Sequence, residues 1–297
     1  MRILLTGGTG LIGRALVQQW QSQHHLIVFT RNQPKARQLF GDTIDIATDL
    51  TAIDFNQLDV VVNLAGEPIA ERRWSEKQKS RICQSRWQLT EQIVSLIQTA
   101  STPPHTLINA SAVGFYGRQG SDRVDESYQS YYPEFSHDVC ARWENLANRA
   151  RSEQTRVCIT RIGIVLAEKG GALQKMLPAF KLGLGGKLGD GQQYMSWIHL
   201  TDLVELYNFL LNHTELSGVF NATAPMAVSN QQFTTLLAER LGKPNLLPMP
   251  AFVLKLLFGE MSDLLLFGQN VYPQRLVDAG FQFKYSQLRQ ALADLAL

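Results

Sequence analysis

Residues 2–13 read Arg-Ile-Leu-Leu-Thr-Gly-Gly-Thr-Gly-Leu-Ile-Gly, a short apolar run that breaks into glycines and resumes as an amphipathic stretch. The spacing predicts a strand over Arg2–Thr6, a helix over Leu11–Gln23, and a GxxGxxG turn between them built on Gly7, Gly10 and Gly13. Gly7 permits the tight turn out of the strand, Gly10 lets a pyrophosphate approach the backbone, and Gly13 lets the helix pack closely on the sheet. The helix that opens at Leu11 and Ile12 aims free N–H groups and a positive dipole end at that phosphate. Glycines also mark ordinary turns; between a strand and a helix this triplet predicts a dinucleotide site.

The pattern continues outward. Apolar runs at Leu26–Thr30, Ile44–Thr48, Val60–Leu64, Leu107–Ser111 and Val157–Ile162 predict further strands, and longer amphipathic runs at Ser75–Thr99 and Phe135–Ser152 predict helices. Strand and helix in alternation, with strands apolar on both faces, predict an α/β fold: a Rossmann-type doubly wound parallel sheet. After Gly163 the texture changes, and glycines at 170, 171, 183, 185, 186, 189 and 191 predict loops. A helix over Thr201–Asn212, a strand over Val219–Ala222 and a helix over Asn230–Leu241 follow. The proline-bearing stretch Lys243–Pro250 divides the chain. Residues 1–225 are expected to form the nucleotide-binding domain, and 245–297 a small, mostly helical C-terminal domain completing the substrate cleft. Within it, Val253–Leu257 and Leu264–Phe267 are read as core-facing helix segments, not as a membrane anchor.

The second predicted strand ends in Thr30-Arg31-Asn32. An NAD site usually carries an acid there to bind the ribose hydroxyls. A guanidinium suits a 2′-phosphate instead, so Thr30 and Arg31 point to NADP(H), with Lys35 and Arg37 adding positive field. The alternative for Arg31 is a solvated surface arginine. Asp49 could accept from the adenine amino group; a loop or cap aspartate is the other reading. Asn63-Leu64-Ala65-Gly66 closes the fourth strand with small residues, which lets a cofactor lie against Leu64, Ala65 and Gly66.

Composition narrows the partners. Of 297 residues, 45% are hydrophobic and 18% charged, enough apolar material for a sizeable core, and the net charge of +2 gives no reason to expect nucleic acid or an anionic membrane. The three cysteines, at 83, 140 and 158, show no CxxC spacing and suit free thiols in a reducing compartment. The six histidines form no metal-binding pattern, so no metal is expected. No apolar run reaches bilayer-spanning length and no leader precedes the first strand. These readings describe a soluble cytoplasmic protein with a small-molecule substrate, and leave a homodimer open.

Together these motifs resemble the extended short-chain dehydrogenase/reductases, the superfamily of nucleotide-sugar epimerases and dehydratases. The glycine pattern, Asn63–Gly66, Ser111-Ala-Val-Gly-Phe-Tyr-Gly117, Arg161 and the run from Gly189 to Asp202 stand in that family's order over roughly residues 1 to 225. The tail, with Leu247-Pro-Met-Pro-Ala-Phe, Gly259–Gly268 and Leu276–Phe283, is similar to the C-terminal domain of unknown function in one atypical subgroup. That subgroup is the epimerase-family proteins, some labelled SulA-like. The resemblance implies a Rossmann fold, NADP(H), Arg161 among the cofactor-site residues, and a nucleotide-linked substrate.

The family's proton chemistry does not carry over. Its usual helix reads YxxxKxxxE, with the lysine lowering the tyrosine pKa for proton exchange during hydride transfer. Anchored on Glu144, the tyrosine position holds Ser136 and the lysine position Cys140, while Ala112 stands at the usual catalytic hydroxyl. Substitutes are therefore sought nearby. Glu67 follows the small-residue segment and could serve as acid or base near the nicotinamide, or be a loop acid paired with Arg72 or Arg73. Tyr116 could offer a phenol or pack on the sheet edge, and Ser111 could position a substrate oxygen or bond the backbone. His199, flanked by apolar residues, reads as structural; Lys187 and Tyr194 face the cleft or solvent. Three roles remain: an NADP(H)-dependent oxidoreductase or epimerase-like enzyme, a non-catalytic NADP(H) sensor, and a docking protein using its C-terminal domain.

Overall fold

In the computed structural model, which describes residues 1–297, strand and helix alternate from the first residues. They run β1 (Arg2–Thr6), α1 (Leu11–Trp20), β2 (His25–Phe29), α2 (Gln33–Phe40), β3 (Asp45–Ala47), β4 (Val60–Asn63), α3 (Glu76–Thr99), β5 (Thr106–Ala112), β6 (Arg123–Val124), α4 (Phe135–Asn148) and β7 (Arg156–Ile162). Then come β8 (Ile164–Leu166), α5 (Gly171–Lys181), β9 (Tyr194–Met195), β10 (Trp197–His199), α6 (Leu200–Asn212), β11 (Gly218–Ala222), β12 (Val228–Ser229) and α7 (Asn230–Leu241). The C-terminal region holds α8 (Ala251–Phe258), α9 (Asp263–Leu266), β13 (Asn270–Val271), α10 (Gln274–Asp278) and α11 (Leu288–Asp294).

Seven strands form one sheet in the order β11-β7-β5-β4-β1-β2-β3, every pairing parallel. The expected doubly wound α/β architecture is what the chain adopts. Alternation along each strand sends side chains to two apolar layers. Ile3, Leu5, Val60 and Val62 meet Leu16, Val17 and Trp20 of α1 and Leu203, Leu206 and Tyr207 of α6 on one side. Leu4, Val61, Leu107 and Val157 meet Ile93, Val94 and Ile97 of α3 on the other. The strand order reverses between β4 and β1, and an open α/β sheet binds ligands beyond the strand ends at that point.

Local chemistry sets the helix ends. Ser75 accepts from the N–H of Gln78 to cap α3, and Ser229 with Gln232 forms a capping box on α7, which stops at Gly242 in the left-handed region. The His199 imidazole caps α6 through the Thr201 N–H at 3.2 Å, the structural role expected of it. Its ring packs against Tyr285, with centroids 4.1 Å apart, and burial pulls its pKa below the ordinary value. Asp202, one turn on, accepts from the N–H groups of Lys284 and Tyr285 at 2.9 Å each and so anchors the C-terminal stretch.

The C-terminal residues join an existing core. Tyr285, Leu288, Ala291, Leu292 and Leu295 pack with Leu173, Leu177, Trp197, Phe233 and Leu237. One expectation is corrected here. Of Val253–Leu257 in α8, only Leu254 is buried, while Leu256 and Leu257 are 75% and 51% exposed, because α8 packs along a single narrow face. Leu264–Phe267 does not face the core either: Leu264, Leu265 and Leu266 are half-buried and Phe267 is exposed, since α9 is a single short turn. No helix is long and apolar enough to cross a membrane.

Candidate functional site

The carboxyl ends of β1 and β4 are joined by buried polar side chains. The Thr6 hydroxyl donates to Asn63 Oδ1 at 2.6 Å, and Asn63 Nδ2 donates to Asn109 Oδ1 at 2.6 Å and Thr90 Oγ1 at 2.9 Å. Trp143 Nε1 also donates to Thr90 Oγ1, at 2.9 Å, which brings in α4. A buried network with its partners in place is rigid, and this one fixes the ledge from which Leu64, Ala65 and Gly66 emerge.

Against that ledge sits the glycine turn. Gly7 has φ +71°, and a Cβ there would come within 2.8 Å of the Leu64 carbonyl carbon. A Cβ on Gly13 would fall 2.4 Å from the Gly7 carbonyl oxygen, so the start of α1 lies directly on the turn. Gly10 is different: it is exposed, and a Cβ would meet only Gly7 O at 3.2 Å. No side chain caps α1 and no acid stands in its first turn, so the N–H groups of Leu11, Ile12 and Gly13 lack protein acceptors. Free donors, a positive helix end and an open backbone fit a pyrophosphate.

At the end of β2, the Thr30 hydroxyl accepts from the Asn32 N–H at 3.1 Å, and Asn32 caps α2 by accepting from the Lys35 N–H. Arg31 is exposed and forms no hydrogen bond or ion pair, so its fork is free for a 2′-phosphate. Arg37 does not add to that field as expected. It donates to the carbonyls of Gly41 and Ile44 and lies 3.4 Å from Asp42. Asp49 accepts from the N–H and hydroxyl of Thr51 through Oδ1, capping a short 3₁₀ turn; Oδ2 is unused.

The opposite end of the ledge holds Glu67. Its N–H donates to Ser85 Oγ at 2.8 Å, its carbonyl accepts from Arg86 Nη1 at 2.9 Å, and Gln78 Nε2 lies 3.4 Å from its Oε1. These contacts all come from α3, and Glu67 itself is half-buried. No ion pair joins it to Arg72 or Arg73. Arg86 was not among the residues singled out from sequence. It packs where a Gly66 Cβ would lie, with Cζ 2.7 Å from that position.

The other sequence candidates sit in the wall behind the cleft. The Ser111 hydroxyl donates to Glu144 Oε1 at 2.6 Å, and Arg161 grips the same carboxylate with Nε at 2.9 Å and Nη2 at 2.8 Å. Arg161 is 4% exposed, and its Cζ lies 3.4 Å from the Phe115 ring centroid. Its fork is thus held inside the protein. Tyr116 is wholly buried; its hydroxyl donates to Asn221 Oδ1 at 2.8 Å, with the Asp125 carbonyl oxygen 3.0 Å away. Burial pushes the phenol up to about 12 despite neighbouring Arg161, which is the geometry of the packing reading. On α4, Ser136 donates to Glu134 Oε1 at 2.7 Å, and burial pushes the Cys140 thiol up to about 11.

The C-terminal region packs on the segments that carry Arg118 and Gln193. Arg118 bridges Glu134 and Asp263 at 3.0 Å each, and Gln193 Nε2 donates to the Leu265 carbonyl at 2.7 Å. Lys187 and Tyr194 are half-buried. No three His, Cys, Asp or Glu side chains are grouped to hold a metal ion.

Comparisons with known proteins agree with this geometry. The model of the NAD dependent epimerase/dehydratase family matches residues 3–222, and that of a domain of unknown function, DUF1731, matches 249–295. An epimerase family protein SDR39U1 homolog, chloroplastic, of Arabidopsis thaliana is 40% identical, over 98% of this chain and 86% of its own length. Epimerase family protein SAR0825 of Staphylococcus aureus is 37% identical over 98% of both chains. Among solved structures, human epimerase family protein SDR39U1 (isoform 2), crystallised with NADPH, superposes with a TM-score of 0.91 at 33% identity, covering 100% of this chain and 99% of that one. The nucleoside-diphosphate sugar epimerase of Corynebacterium glutamicum gives 0.76 at 30% identity, over 99% of this chain and 57% of that one.

Proposed function

The chain belongs to the NAD dependent epimerase/dehydratase family, and on that footing we propose that it is an NADP(H)-dependent oxidoreductase or epimerase-like enzyme that works without the Tyr-x-x-x-Lys pair. The observation that carries this is the uncapped glycine turn at the strand-order reversal, with an unpaired Arg31 at the end of β2. NADPH in the crystal structure of the human relative supports the same choice of cofactor. Gly7, Gly10 and the N–H groups of Leu11, Ile12 and Gly13 would hold the pyrophosphate. Thr30 and Arg31 would hold the 2′-phosphate, Asp49 Oδ2 the adenine amino group, and Leu64, Ala65 and Gly66 the face of the nucleotide. When bound, the cofactor supplies or takes a hydride.

The protein's own part would be to handle the accompanying proton, and Glu67 is the residue we assign to it. It follows the ledge directly, is half-buried, and its contacts come from α3. Ser111 and Arg161 act one layer behind by fixing Glu144 and the end of β5. The substrate is a small molecule, nucleotide-linked by family. Three free cysteines fit a reducing compartment such as the cytoplasm.

A second reading, a non-catalytic NADP(H) sensor, draws on the neutral Cys140 and the enclosed Tyr116. One experiment separates the two. NADPH is incubated with the protein and a panel of nucleotide-linked and free keto sugars, and its oxidation is followed by absorbance. Protein-dependent oxidation with one substrate class supports the enzyme. Tight NADPH binding with neither NADPH oxidation nor, by NMR, any epimer formed from the panel favours the sensor.

A further inference from the structure

The α4 position that carries lysine in the usual family pattern carries Cys140 here, a buried neutral thiol. That helix therefore supplies no positive charge at this point. A cation stands beside it all the same, on α3. Arg86 Cζ lies 5.1 Å from the ring centroid of Trp143, which is three residues beyond Cys140 on α4. The same guanidinium packs under Gly66, and its Nη1 donates to the carbonyls of Glu67 at 2.9 Å and Ile82 at 3.0 Å. It thus touches both the ledge and the helix that would have carried the lysine.

Arg86 forms no ion pair, and its Nε and Nη2 have no protein acceptor. Burial draws its pKa down from the usual arginine value, yet a guanidinium stays charged at neutral pH. Arg86 is half-buried, and a cation held partly out of water without a counter-ion adds little to folding. Keeping one here makes sense if negative charge arrives or develops nearby during function.

We infer that Arg86 is the fixed positive charge at the nicotinamide end of the cleft, supplied from α3 where the usual lysine would supply it from α4. The inference rests on the NADP(H) reading above. The charge favours the negative charge that develops on a substrate oxygen as its proton leaves, while the hydrogen bond to Glu67 O holds the proposed acid–base residue in register.

The test needs no substrate. NADP⁺ and NADPH differ in the charge of the nicotinamide ring and share every other group. A cation at that end therefore disfavours NADP⁺, whereas a merely structural residue affects both ligands alike. Dissociation constants for both are measured by fluorescence for the unmodified protein, Arg86→Lys, Arg86→Met and Arg86→Gln, the last keeping donors for the two carbonyls. The unmodified protein and Arg86→Lys should prefer NADPH. Each neutral variant should narrow that preference roughly fivefold, the order of one partly screened charge across about 10 Å. Equal weakening of both ligands with an unchanged ratio overturns the inference and leaves the cofactor reading intact. Failure of the unmodified protein to bind either ligand overturns both.

Discussion

Ser111 and Glu144 meet at 2.6 Å, hydroxyl to carboxylate, and Arg161 donates to both oxygens of that carboxylate. Three polar groups that resemble site residues in sequence are thereby satisfied by one another in the wall of the cleft. Removing one partner of a buried ion pair leaves an unpaired charge, a loss of about 3–5 kcal/mol. Glu144→Gln should lower urea stability on that scale. Glu144→Gln combined with Arg161→Met should lose less than Glu144→Gln alone, since no charge is then stranded. A double variant as unstable as the sum of its parts would show that the two residues act separately.

The glycine turn should divide into a packing position and a ligand position. Gly13→Ala brings a Cβ to 2.4 Å from a backbone oxygen and should destabilise the fold by several kcal/mol, on the order of a core steric clash. Gly10→Val faces open space beyond one contact at 3.2 Å. It should leave the melting temperature nearly unchanged while abolishing NADPH binding. Retained binding in Gly10→Val, checked by fluorescence titration with circular dichroism, would make the turn merely structural.

Tyr116 provides a pH test of its enclosed setting. Its folded-state pKa is pushed up to about 12, above the unfolded value of about 10. A phenol whose pKa is raised on folding contributes stability that is fully present below about pH 10 and is lost as pH rises towards 12. Tyr116→Phe should remove that alkaline component and also leave Asn221 Oδ1 without its donor, costing about 1–3 kcal/mol at neutral pH. Urea titrations of both proteins between pH 8 and 11 (roughly the range bracketing the unfolded phenol) decide it. Parallel curves would mean that Tyr116 ionises as readily folded as unfolded.

How far the sequence could be read depended on the range of the physics involved. β1, the glycine turn and α7 were legible because apolar period, glycine spacing and the Ser229 cap all lie within a few residues. α2 was missed: it buries only Ala36, so its apolar signal is weak, and Asn32 with Pro34 was the only cue. α5 was hidden among glycines and carries Pro178 inside it. The pairing of β6 with β13, two residues each and far apart in the chain, left no local trace. Ser111, Tyr116 and Arg161 could be placed near the strand ends, but whether each faced the cleft depended on Glu144 and Asn221, from other elements. Arg86 stood inside an ordinary amphipathic helix, and only the fold brings it under Gly66.

The division of labour at the catalytic end gives a further prediction. Ser136 is bonded to Glu134, and Cys140 is neutral, so Ser136→Ala and Cys140→Ala should each lower turnover of an identified substrate by less than about tenfold. Glu67→Gln should lower it by roughly 10²–10⁴, the usual worth of general acid–base catalysis, with NADPH affinity nearly constant. Steady-state kinetics beside fluorescence titration separates chemistry from binding. Ser136→Ala as damaging as Glu67→Gln would return the chemistry to α4.

The central claim is that this cleft holds NADP(H) and recognises the 2′-phosphate through Arg31. Its most direct test is the affinity for NADPH against NADH, in the unmodified protein and in Arg31→Ala. The free guanidinium predicts tighter binding of NADPH, and a preference narrowed in Arg31→Ala by roughly 1–3 kcal/mol, the scale of a charge-assisted hydrogen bond. Equal affinities for the two cofactors in the unmodified protein would contradict it.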